Sequence, residues 1–128
     1  MSLFASGLWS REGFVACVDW SKGGAFFPDG ATVLGLSGAI VFPVQPLDAL
    51  NLPKLDFWKT DVEGAELEVF RGGIETIRRC RPKMLFENHV HIDPDCEAKC
   101  VELLRGLGYR HVGTRPHHSI SHTLMVPE

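Results

Sequence analysis

One short stretch does most to constrain what this chain can become: Lys54, Leu55, Asp56, Phe57, Trp58, Lys59, Thr60, Asp61, Val62, Glu63, Gly64, Ala65, Glu66, Leu67 and Glu68. Its first half sets bulky and aromatic residues on consecutive positions, which suits a strand over 55–61 covered on both faces, as in a parallel sheet. From Gly64 onward, Leu67, Phe70, Ile74 and Ile77 recur at helical spacing. The chain must therefore pass from strand to helix within a few residues. Asp61, Glu63 and Glu66 fall at that passage, the position at which open α/β sheets bind ligands.

Before this stretch, Phe14 to Val18 read as a strand after a turn at Ser10 to Gly13. Further turns fall at Ser21 to Gly24 and at Pro28, Asp29 and Gly30. Two more strands, over 31–36 and 39–44, flank Ser37 and Gly38 as a hairpin. Together these predict an N-terminal antiparallel β meander with no chemistry in it. A helical turn over 46–52 leads to Pro53 and the central strand.

The next helix covers 65–79. It breaks at Gly72 and Gly73, since each glycine costs about 1 kcal/mol against alanine in a helix interior. After Pro82, Lys83 to Glu87 form a second buried strand, ending in Glu87, Asn88, His89 and His91. Asp93 or Asp95 caps a helix over 96–107, and Gly108 stops it. Strands over 109–113 and 122–126 close the chain, joined by a polar stretch holding Pro116, His117 and His118. The order strand, helix, strand, helix, strand, strand predicts a mostly parallel sheet with crossover helices and an antiparallel C-terminal pair.

Composition bounds the function. The 128 residues make a single domain, over 1–128, large enough for one core. A net charge of -3 supplies no basic field for phosphates, so no nucleic-acid partner is expected. No apolar run is long enough for a membrane span and no signal peptide is visible, which makes the cytoplasm the expected location. Cys17, Cys80, Cys96 and Cys100 lack metal-site spacing and read as reduced core thiols.

Asp61 and Glu63 are the first candidates for chemistry, while Glu66 complements the positive end of the helix dipole. Lys59 and Glu87 lie in or at the end of buried strands and are expected to pair, since an unpaired buried charge is costly. His89 and His91, alternate residues on one side of an extended segment, could act as base, substrate contact or metal ligands, and a third function is a metal-dependent enzyme using them with the late histidines. His117, His118 and His122 are irregularly spaced, so no metal ligands are assigned.

The run from Lys59 to Glu66, followed by Leu67, Glu68, Val69, Phe70, Arg71 and Gly72, resembles the signature of FkbM-family methyltransferases. Leu47, Asp48 and Leu50, then Arg81, Pro82 and Glu87, then Leu103, Leu104, Gly108 and Tyr109 resemble the same family in order and spacing, over residues 40–128. The resemblance implies an α/β fold, part of the Rossmann-like class I methyltransferase sheet. It implies S-adenosylmethionine as cofactor, Asp61 and Val62 toward that cofactor, and a hydroxylated small molecule as methyl acceptor. Asp61 or Glu63, with His89, would position or deprotonate the acceptor hydroxyl.

The family's first strand, its glycine-rich cofactor loop and its ribose-binding acidic residue have no counterpart here. Gly106 and Gly108 read instead as a helix stop. The chain is therefore expected to be an N-terminally truncated domain whose central strand has an open edge carrying Phe57 and Trp58. Such an edge predicts self-association or strand exchange. The alternative function is non-enzymatic: an α/β fragment that binds a partner through that edge.

Overall fold

The computed structural model describes residues 7–17, 25–29 and 38–128, which form two four-stranded sheets and three α-helices. The first sheet contains β1 (Gly7–Leu8), β2 (Gly13–Cys17), β3 (Ala25–Phe27) and β4 (Ile40–Gln45), in the order β1-β4-β2-β3. β2 is antiparallel to β3 and β4, but β1 is parallel to β4. The expected antiparallel meander is thus a mixed sheet, because Gly7 and Leu8 lie along the outer edge of β4. The predicted strand over 31–36 and its hairpin fall outside the described residues.

The second sheet carries the central stretch. β5 (Phe57–Thr60) is followed by α1 (Glu66–Arg71), α2 (Ile74–Cys80), β6 (Lys83–Asn88), α3 (Cys96–Gly106), β7 (Tyr109–His117) and β8 (Ile120–Pro127). Its strand order is β5-β6-β8-β7. Only β5 and β6 are parallel; β6–β8 and β7–β8 are antiparallel. The mostly parallel sheet expected from the element order is therefore replaced, among the described residues, by a mixed one.

The cause is local. The chain leaves along β7, reverses at His118 and Ser119 with φ +56° at His118, and inserts β8 beside β6. The polar stretch expected to link two strands is itself strand, because β7 is the sheet edge. Its polar side chains meet water there, and an edge tolerates Pro116.

One face of this sheet packs on the helices. Met84, Phe86 and Asn88 alternate inward from β6; the first two cluster with Trp58, Phe70, Ile77, Leu104 and Met125, all buried, and Asn88 donates to Ser121 and Thr123. Phe70 stands edge-on to Trp58 at 5.5 Å and to Phe86 at 5.3 Å. Burying side chains of this size contributes about 1.5–3 kcal/mol each. The opposite face is less covered. Phe57 is 52% exposed and Lys59 is exposed, so the strand expected to be covered on both faces is covered on one. Among the described residues β5 is a sheet edge, but its Trp58 points to the buried face and only Phe57 is exposed there.

The helix break falls where expected, for a reason of contact. A Cβ on Gly72 would sit 1.9 Å from the carbonyl oxygen of Trp9, and one on Gly73 would sit 2.9 Å from the Trp58 ring. Gly72 thus lets the first sheet approach the helical layer. Asp48, in the 3-10 turn Leu47–Leu50, closes the start of α2 by accepting the N–H groups of Glu75 and Thr76 and the Thr76 hydroxyl.

Candidate active site at the strand-to-helix turn

β5 and β6 run parallel in register, with Thr60 opposite Phe86, so the segments leaving the two strands emerge at the same end of the sheet. After β5 the chain turns through Asp61, Val62, Glu63 and Gly64, with φ +52° at Glu63 and +93° at Gly64. Glycine takes that conformation without penalty, whereas glutamate takes it at a cost. A Cβ on Gly64 would also lie 2.8 Å from Ile92. The turn is held by Glu66, the first residue of α1, which is fully buried. The Val62 N–H donates to Glu66 Oε1 at 3.0 Å, and the Cys96 thiol to Glu66 Oε2 at 3.7 Å.

The turn converges on His89, just past the end of β6, whose side chain is only 5% exposed. Its Nε2 lies 3.6 Å from Asp61 Oδ1, 3.5 Å from Glu63 Oε2 and 3.6 Å from Glu87 Oε2. Its Nδ1 faces Glu66 Oε1 at 3.8 Å. These distances are near contacts, and among the described residues neither ring nitrogen has a hydrogen-bond partner. Glu87 is fixed from its other side by His122, whose Nε2 lies 2.9 Å from Glu87 Oε1. The β6–β8 register, which sets Glu87 opposite His122, makes that contact possible.

Asp61 and Glu63 are 43% and 49% exposed, so a ligand can reach them. They border a cleft of about 420 Å³ between the two sheets, whose other wall includes Leu8, Trp9, Phe42 and Val44. Val62 lines the same cleft. A larger groove of about 700 Å³ shares Gly64 and Glu68 with this cleft but none of the residues around His89. Four of its charged side chains are already paired, Glu68 with Arg71 and Asp93 with Lys99. Behind the turn, the Cys100 thiol is pushed well above its usual range by its hydrogen bond with Cys96 and then by burial.

The structure brings together Asp61, Glu63 and His89 and sets Val62 beside them. Glu66, expected as a dipole partner, does begin α1 and also buttresses the turn. Lys59 does not pair with Glu87; it is exposed, and Glu87 turns to His122 and His89 instead. His91 is exposed, with its ring 5.8 Å from that of His89 and outside the cluster. His117 and His118 stay at the β7–β8 reversal. The contact of Glu87 with His122 has no signal in the sequence, since only the strand register brings the two together.

A family model described as the methyltransferase FkbM domain matches residues 21–111. The chain belongs to the FkbM methyltransferase family. The match starts upstream of the 40–128 span that carries the motif resemblance, taking in part of the first sheet. A solved structure, methyltransferase FkbM from Methylobacillus flagellatus KT, is similar with a TM-score of 0.65 and 16% identity, over 96% of this chain and 28% of that one. At that identity the likeness is one of fold, and this FkbM-family chain spans little more than a quarter of that protein. No protein of curated function matches. Among the described residues, no helix is long and apolar enough to cross a membrane.

Proposed function

We propose that this chain carries an O-methyl transfer centre dependent on S-adenosylmethionine, acting on a hydroxylated small molecule, with Asp61, Glu63 and His89 at the reacting atoms. The observation that carries the reading is the convergence of Asp61, Glu63 and Glu87 on the buried His89, with Asp61 and Glu63 also lining the cleft where β5 hands over to α1. A cleft of about 420 Å³ with an apolar wall on one side and carboxylates on the other suits a ligand that carries both an aromatic ring and a cationic centre. Asp61 and Val62 face it from the turn.

When bound, S-adenosylmethionine supplies an electrophilic methyl whose C–S bond breaks as the new C–O bond forms, leaving a neutral thioether. The acceptor hydroxyl is oriented by Asp61 and Glu63 with His89 beside them, and its proton passes to one of these carboxylates. Glu66 and Glu87 flank the imidazole at 3.8 and 3.6 Å. Incubation with methyl-labelled donor and panels of sugar and polyketide alcohols tests the reading. Label should appear on an acceptor oxygen, and Asp61→Asn and His89→Gln should each lower the rate about 10²-fold or more.

A second reading rests on the edge position of β5. Phe57 is 52% exposed there, and an apolar edge strand pairs readily with another chain. Sedimentation over a concentration series tests it: self-association that Phe57→Lys abolishes supports the reading, and a monomer throughout opposes it.

A further inference from the structure

Asp61, Glu87 and His89 each offer one ligand atom, and these atoms lie within 4.8 Å of one another. Among the described residues, no lysine or arginine forms an ion pair with Asp61, Glu63, Glu66 or Glu87. Several carboxylates thus face one ring with no basic side chain between them, an arrangement that a positive ion completes. His89 adds an independent observation. Its side chain is 5% exposed, its Nδ1 is buried with no hydrogen-bond partner among the described residues, and its Nε2 faces the carboxylates of Asp61, Glu63 and Glu87 at 3.5–3.6 Å.

We infer that Asp61 Oδ1, Glu87 Oε2 and His89 Nε2 hold a divalent transition-metal cation of the manganese type. Two carboxylates and one imidazole suit such an ion, and three protein ligands leave positions open for water or a ligand oxygen. The surroundings orient the set. Glu66 Oε1 faces Nδ1 and favours the tautomer that carries the proton there, leaving Nε2 free to coordinate. His122 engages Glu87 Oε1 and leaves Oε2 for the ion. Hard cations sit about 2.0–2.6 Å from their ligands, so a modest rotation of the half-exposed Asp61 carboxylate closes the triangle. The use of the ion, as an anchor that lowers the pKa of an acceptor hydroxyl, rests on the methyl-transfer reading; its binding does not.

Titration of the chain with Mn²⁺ alone, followed by the paramagnetic resonance signal of the free ion, tests the site without any methyl donor. One equivalent should bind. Asp61→Asn and Glu87→Gln should each weaken binding about tenfold or more, and Glu102→Gln, in the other groove, should leave it unchanged. Far-UV circular dichroism matching wild type shows that the exposed Asp61→Asn variant is folded. No binding at millimolar Mn²⁺ overturns the site, as does binding that Asp61→Asn and Glu87→Gln leave intact, which would mark an adventitious ion only. Because no donor is present, this result and the labelled-methyl assay succeed or fail independently.

Discussion

The buried carboxylate of Glu66 accepts the backbone N–H of Val62 at 3.0 Å, so the first residue of α1 locks the turn that presents Asp61 and Glu63. The same side chain faces His89 Nδ1 from the opposite side to the other acids. One residue therefore ties the shape of the turn to the orientation of the imidazole.

Removing it should be costly. Glu66→Ala leaves the Val62 N–H without its acceptor and opens a void behind the turn, lowering stability by about 1–3 kcal/mol. Chemical denaturation, read by the midpoint at constant slope, checks this.

Gly72 joins the first sheet to the helices. Gly72→Ala places a methyl group 1.9 Å from the Trp9 carbonyl oxygen and 3.1 Å from the Pro46 Cα, both backbone atoms with little freedom to yield. A loss of about 1–3 kcal/mol or more is expected, as for overpacking elsewhere. Early hydrogen exchange in β1 and β2 should show the first sheet loosening before the second.

Glu63 is a site where stability and function oppose each other. It adopts φ +52°, a conformation that disfavours side chains. Glu63→Gly should raise the melting temperature, by about 0.5–1 kcal/mol of stability, while lowering methyl transfer. A thermal scan and the labelled-methyl assay on the same variant check both halves.

Acid should act partly through Asp93. Its carboxyl is held below the usual carboxylate range chiefly by the hydrogen bond from Lys99, against a smaller opposing effect of burial. A folded pKa below the unfolded one gives stability that is present above the ordinary carboxylate range and lost as pH falls through the depressed value. The pair lies at the surface, so the effect is small and weakens with salt. Denaturation midpoints measured from neutral pH downward should fall more steeply for wild type than for Asp93→Asn.

Much of the fold is legible in the sequence because its signals are local. The change of period at Gly64 gives β5 and α1, the glycine pair gives the helix break, and Gly108 comes just after the end of α3. The illegible part depends on pairing between distant segments. The insertion of β8 beside β6 decides that the sheet is mixed, and only that register sets His122 against Glu87. Consecutive bulky residues in β5 suggest two covered faces, yet Phe57 lies on the open one. The grouping of Asp61, Glu63 and His89 can be reached from position at strand ends. The partner of Glu87 cannot, because Lys59 resembles a buried charge in the sequence and is exposed in the fold.

The most direct measurement is calorimetric titration of the chain with S-adenosylmethionine, beside Asp61→Asn and the exposed control Lys59→Ala. Saturable binding that Lys59→Ala retains and Asp61→Asn loses is the expected result. Absence of any binding to the unaltered chain, or equal affinity in the Asp61→Asn variant, contradicts a methyl-donor site at this turn.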